Sequence, residues 1–297
     1  MRAMNQWYLD KTPDLGREHY IACLEKFLAL PSGRCVASER RPELGSTATM
    51  CDSPRLDVVL SGTKHMFYPA DGGVRNEMLP AGSIHYSPAF AYKLSYWDSA
   101  HAMSSVVFKR DTLRVTWIDL KNPIGGAIDV VTQDFYLTHN PPSKRLMQLC
   151  HVLDSLVGTP LWTDTAPPIL RSLLMLVCDE LRHDSASHFG RREATWQYVR
   201  NYLDENFQRP INRAYLARVL RMSPGYLSAL FHEHAGEPLN TWLWRKRLDY
   251  AARLLSQTDS SIASIAESCG YYSVPSFSTA FRRQFGEAPS VYRRTHQ

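Results

Sequence analysis

The stretch SPGYLSALFHEHAGEP at residues 223–238 is answered fifty residues later by SVPSFSTAFRRQFGEAP at 273–289. Ser223 and Ser273, Leu227 and Phe277, Phe231 and Phe281, and Gly236 and Gly286 all match at that offset. A serine oxygen can accept an orphan N–H of a helix's first turn, and Pro224 at the first helical position costs no hydrogen bond. Apolar residues four apart share a helical face, and a glycine just beyond them supplies the left-handed stop. A short helix carrying Ala217 or Ala266 precedes each copy. The repeating unit is a short helix, a turn, a capped helix and a glycine stop.

That unit is the helix-turn-helix, whose second helix enters the DNA major groove with its N-terminal residues toward the bases. Between the copies, LNTWLWRKRLDYAARLLSQ turns Leu243, Leu248, Ala251, Leu254 and Leu255 to one side. A helix of about 18 residues is about 27 Å long, comparable to the roughly 34 Å of one DNA turn. Upstream, TWQYVRNYLDENF aligns Trp196, Val199, Tyr202 and Leu203, and Asn212 can cap RAYLARVLR.

LARVLRMSPGYLSALF, WLWRKRLDYAARLL and SSIASIAESCGYYSVPSFSTAFRRQFGEAPSVYRR, in this order, resemble the AraC/XylS family of bacterial transcription regulators. The resemblance implies a DNA-binding domain of two helix-turn-helix units joined by a linker helix. Its groove-facing positions fall on Gly225, Ser228, Ala229 and His232, then on Val274, Pro275, Ser276 and Thr279. Ala229 and Thr279 stand where many members carry an arginine that pairs with guanine. An operator read through A·T-rich sequence and DNA shape is the expectation. Phosphate contacts, which position without specifying, are expected from Arg221, Arg245, Lys246, Arg282 and Arg283.

Residues 20 to 140 read differently. RLDVVLSG, KHMFYPA, GSIHYSP, YKLSYW, MSSVVFK and LRVTWIDL are short, rich in β-branched and aromatic residues, and separated by turns such as Ala70-Asp71-Gly72-Gly73, Pro80-Ala81-Gly82 and Pro123-Ile124-Gly125-Gly126. They predict an antiparallel sandwich or barrel. Helices follow at about 143–158, through Leu146, Leu149, Leu153 and Leu156, and at about 167–182, through Leu170, Leu173, Leu174, Val177 and Leu181. The wide stripe of the second fits a dimer interface or burial within one protomer. The fold class is α+β: residues 1–182 similar to the cupin-like effector-binding and dimerisation domain of sugar-responsive members, a linker at 183–193, and the DNA-binding domain at 194–297. Tyr86, Phe90, Tyr92, Tyr96, Trp97 and Trp117 serve as core or as stacking surfaces; His65, His85, Tyr92, Tyr96 and Trp97 are the effector-binding candidates.

The net charge is +5. From residue 193 onward 13 Lys and Arg face 9 Asp and Glu, which suits a polyanion-binding C-terminal part. No apolar run approaches the roughly 20 residues of a membrane span, and the N-terminus lacks a secretory core, so a cytoplasmic location is expected. Six cysteines form no CxxC pair, and no phosphate loop or nucleophile elbow occurs. His232 and His234 are two apart, unlike the i, i+4 pair of a helical zinc site, and His65, His85 and His101 make no HxH pair. The expectation is a non-enzymatic, cofactor-free regulator acting as a homodimer. Its partners would be double-stranded operator DNA, a small-molecule effector such as a carbohydrate and, for an activator, RNA polymerase. The alternative is a metal-dependent cupin-type enzyme fused to a DNA-binding domain.

Overall fold

The computed structural model describes residues 16–40, 49–121, 134–138, 140–184, 191–220 and 222–297. Arg221, the turn at residues 123–126 and most of the expected linker lie outside these. The chain divides into two compact units, Trp7–Ser187 and a second formed mainly by His188–Gln297.

The first unit carries an N-terminal helix, α1 (Arg17–Leu28), that the strand-like reading of this region overlooked. Its strands are β1 (Cys35–Ala37), β2 (Thr49–Met50), β3 (Arg55–Ala70), β4 (Gly73–Pro80), β5 (Ile84–Ser87), β6 (Tyr92–Ser95), β7 (His101–Phe108), β8 (Leu113–Leu120) and β9 (Asp134–Leu137). The two strands expected in RLDVVLSG and KHMFYPA are one, β3. Its first half pairs with β5 and β7 and its second with β4 and β6. The change occurs where the register shifts between Val59 and Ser61 and the chain passes through Gly62 at φ 68°. A Cβ on Gly62 would lie 2.2 Å from the Ala100 carbonyl oxygen, so only glycine lets the strand run on. The pairings are antiparallel except β1 with β5, and the principal path runs β1-β5-β3-β7-β8-β9.

Cross-strand partners share a sheet face. Tyr86, Leu56, Val106, Val115 and Tyr136 make one such row and pack, with their neighbours, under α1, α2 (Lys144–Leu156) and α3 (Trp162–His183). Leu146, Cys150 and Leu153 of α2 and Leu170, Leu173, Leu174, Val177 and Leu181 of α3 are buried there, so most of the wide stripe is consumed within the protomer. Helix α3 begins earlier than its prolines imply. Pro167 and Pro168 lie inside it, where the carbonyls they leave without donors belong to exposed Thr163 and Asp164. The indole of Trp162 anchors the helix start by donating to the Cys35 carbonyl at 2.9 Å.

The second unit is helical: α4 (Arg191–Asn206), α5 (Arg213–Val219), α6 (Pro224–Ala235), α7 (Leu239–Gln257), α8 (Ile262–Ser268), α9 (Val274–Phe285) and α10 (Pro289–His296). All five inward residues expected on α7 belong to its buried face. Phe277 and Phe281, fully buried, meet Tyr271, Phe285 and Tyr292 in a run of ring contacts. In the described residues no helix is long and apolar enough to cross a membrane.

Candidate functional site

The two copies of the repeat fold alike. The Asn212 side chain accepts from the Tyr215 N–H at 2.8 Å to start α5, and Ser261 accepts from Ser264 at 3.0 Å to start α8. Each turn then closes through the same backbone bond, Met222 N–H to the Ala217 carbonyl and Tyr271 N–H to the Ala266 carbonyl, both 2.9 Å. Ser223 caps α6 and Ser273 caps α9. Gly236 and Gly286 stop these helices at φ 68° and 82°. The second turn holds one residue more, and Gly270 within it adopts φ 76°.

Burying Leu227, Leu230 and Phe231 on one side of α6 leaves Gly225, Ser228, Ala229 and His232 exposed on the other. Burying Phe277 and Phe281 likewise exposes Val274, Pro275, Ser276 and Thr279 on α9. Ser228 is engaged locally, donating to the Pro224 carbonyl at 3.0 Å and accepting from Arg213 at 3.3 Å. His232 and His234 diverge as expected: His232 is exposed, and His234 stacks on Trp196 with centroids 5.5 Å apart.

The basic residues divide by environment. Lys246, expected to contact phosphate, is ion-paired with the buried Asp204. Arg245 is half-exposed and holds Glu237. Arg282 and Arg283 are exposed on α9, and no carboxylate pairs with either among the described residues. Arg283 lies 6.0 Å from the ring centroid of Trp244, a residue of α7 that the sequence reading passed over.

In the first unit, the effector-binding candidates fall into separate groups. His65 lies between Asp98 and Asn76, 2.6 Å from each, and stacks on Tyr96 with centroids 4.5 Å apart. The Trp97 ring sits beneath the Lys64 ammonium at 3.6 Å, and Tyr92 is half-buried. His85 is fully buried, 2.9 Å from the Ser38 hydroxyl and 3.6 Å from Asp57. It belongs to a polar row across four strands, His85-Asp57-Ser105-Thr116, on the sheet face opposite the helices. Lys93 points inward to pair with Asp57. Burial alone would raise the Asp57 carboxyl, but Lys93 and the His85 hydrogen bond hold it well below the usual carboxylate range. Asp57 Oδ1, Ser105 Oγ and Thr116 Oγ1 are buried with no hydrogen-bond partner among the described residues. Such atoms are costly unless something polar meets them. One signal for this row was legible: an aspartate within the otherwise apolar run LDVVL.

A family model described as a helix-turn-helix domain matches residues 216–295. The chain is 27% identical over 249 residues to YijO of Escherichia coli K12, an uncharacterised HTH-type transcriptional regulator, with 84% of each covered. It is 36% identical over 92 residues to the regulatory protein SoxS of the same organism, spanning 31% of this chain and 86% of SoxS. The solved DNA-binding domain of AdpA, a global transcriptional factor in complex with a target DNA, is 29% identical, with 34% of this chain and 90% of that one covered at a TM-score of 0.33. The capped, glycine-stopped helices, the matching domain model and the likeness to YijO and SoxS define a DNA-binding transcription regulator of the helix-turn-helix class. More narrowly, the chain belongs to the AraC family.

Proposed function

We propose that this regulator reads its operator with two helix-turn-helix units, α5-α6 and α8-α9, held by α7 as the linker helix. Gly225, Ser228, Ala229 and His232 face bases in one major-groove segment, and Val274, Pro275, Ser276 and Thr279 face them in the next. The observation that carries this reading is the shared turn bond, Ala217 to Met222 and Ala266 to Tyr271, each followed by a serine-capped helix with small exposed residues. Arg282 and Arg283 hold phosphates, with Arg245 joining when it leaves Glu237. Arg221 belongs to the same set by its position before α6.

Residues 1–182 act as a cupin-like effector-binding and dimerisation domain, in the cytoplasm, and residues 183–193 link it to the DNA-binding domain. Methyl groups and hydroxyls at Ala229 and Thr279 favour A·T-rich sites read partly by shape. The effector is a small polar molecule of carbohydrate type, and the buried row at Asp57, Ser105 and Thr116 supports a polar ligand. His65, His85, Tyr92, Tyr96 and Trp97 are its further candidate contacts. Effector binding shifts the population of domain arrangements and so the half-sites a homodimer can hold; as an activator, the dimer contacts RNA polymerase. Selection of bound fragments from genomic DNA tests the reading. A·T-rich sites in two major-groove segments are expected, and a guanine requirement opposite Ala229 and Thr279 would sink the readout.

A further inference from the structure

Between α7 and α9 lies a cleft of about 480 Å³ lined by Trp244, Pro275, Ser276, Thr279, Ala280 and Arg283. It shares Pro275, Ser276 and Thr279 with the face assigned above to base reading, but its floor is different: a half-buried indole, a proline ring and a methyl group. The cation lining it is Arg283, which lies 6.0 Å from the Trp244 ring centroid and pairs with no carboxylate among the described residues. The cations of α7 are engaged elsewhere, Arg245 with Glu237, Lys246 with Asp204, Arg247 with the Phe207 and Arg209 carbonyls at 2.7 Å each, and Arg253 with the Tyr250 ring at 5.8 Å.

We propose that this cleft holds one sugar-phosphate segment of the operator backbone, with Trp244 packing on the deoxyribose and Arg283 pairing with the adjacent phosphate. The inference rests on α9 being a reading helix. A helix in the major groove is flanked by two backbone strands, and the α7 side of α9 faces one of them. A deoxyribose offers a C–H surface to an indole and carries an anion beside it. The cleft offers the complementary pair, an apolar wall and an uncompensated guanidinium. Trp244 then positions the protein on DNA from the linker helix, and Arg283 is held over the indole ready for the phosphate.

Hydroxyl-radical footprinting tests this, because the radical attacks exposed deoxyribose C–H bonds. The full chain is bound to a duplex carrying a sequence recovered by fragment selection. Wild type is expected to protect a short run of sugars on one strand beside the second reading segment. Trp244→Ala is expected to lose that run alone and to bind about tenfold more weakly, the scale of one lost aromatic anchor. Trp244→Phe is expected to keep the protection. Ala280→Leu, which narrows the cleft from α9 and leaves the indole in place, is expected to lose it, so a misfolded Trp244→Ala does not decide the matter. Arg283→Gln should lower the slope of log affinity against log salt by about 0.9. An unchanged sugar pattern in both Trp244→Ala and Ala280→Leu overturns the proposal, as does a change confined to guanine N7 protection by dimethyl sulfate, which would mean a base contact. Absence of any wild-type footprint overturns the DNA-reading assignment itself.

Discussion

Lys64 shows what a single buried charge does to this fold. Its ammonium donates to the Tyr96 carbonyl at 2.6 Å and lies over Trp97, with no carboxylate in an ion pair to it among the described residues. Burial, reinforced by the Lys93 charge and partly offset by Asp57 and Asp98, brings it from about 10.5 down to about 7. At this one group the unfolded chain therefore binds more protons than the folded one between about pH 7 and pH 10.5, so its contribution to stability rises with pH across that window. We expect wild type to gain stability between pH 7 and about pH 8, by at most about 1.4 kcal/mol per pH unit, below the range in which thiols that burial pushes up, such as Cys150 and Cys178, act in the opposite sense. Urea unfolding measures this, and Lys64→Met is expected to lose that slope. An equal slope in the two proteins would mean that another group carries the dependence. At this scale the sequence was only partly legible. Helical period showed that Leu227, Phe231, Phe277 and Phe281 face inward on α6 and α9, while the groove-facing positions of these helices came with the resemblance to the AraC/XylS family. The partners of Lys64, Lys93 and Lys246 followed from neither, because they are set by which strands and helices meet, and a lysine looks the same in sequence whether it faces water or Asp204.

Among the elements, the repeat was readable because caps and stops are local chemistry: Ser223, Ser273, Gly236 and Gly286 act within one turn of themselves. Helix α1 was missed for a different reason. Tyr20, Ile21, Leu24 and Phe27 have helical spacing, but aromatic and β-branched residues favour strands, and the burial that selects a helix comes from α3 and the sheet. Gly270 separates local from tertiary demands. An alanine at Gly236 meets nothing within 4 Å, whereas at Gly270 its Cβ would stand 2.6 Å from the Gln208 carbonyl oxygen. We expect Gly236→Ala to cost about 1 kcal/mol, the left-handed penalty alone, and Gly270→Ala distinctly more, about 2 kcal/mol or above. Chemical denaturation of both variants decides it, and equal costs would remove the clash from the argument. Ser273→Ala should cost about 1 kcal/mol, since its hydroxyl meets both the Ser276 N–H at 3.3 Å and the Ser276 hydroxyl at 2.9 Å.

At the scale of the whole molecule, the two compact units bury separate sets of residues. Leu24, Leu56, Val106, Leu153 and Leu174 belong to one core, while Leu203, Phe231, Leu248, Phe277 and Phe281 are buried in the other unit. Each unit therefore has the means to unfold as its own cooperative block, and the groups that respond to conditions are divided between them. Lys64 belongs to the first and the exposed arginines of α9 to the second. Calorimetry of the full chain is expected to show two transitions. Raising the pH from 7 to 8, short of the range where the buried thiols of either unit contribute, should move only the transition assigned to the first unit, and Lys64→Met identifies it by abolishing the shift. Operator duplex should move only the other, by about 2.7 kcal/mol at a hundredfold excess over its dissociation constant, and Gly270→Ala should lower that one alone. A carbohydrate that raises the pH-sensitive transition and leaves the other in place marks the first unit as the effector's. A single transition responding to pH and to DNA together would mean that the units unfold as one body. Effector binding would then reach the operator through shared stability, and a change in domain arrangement would no longer be needed to explain regulation.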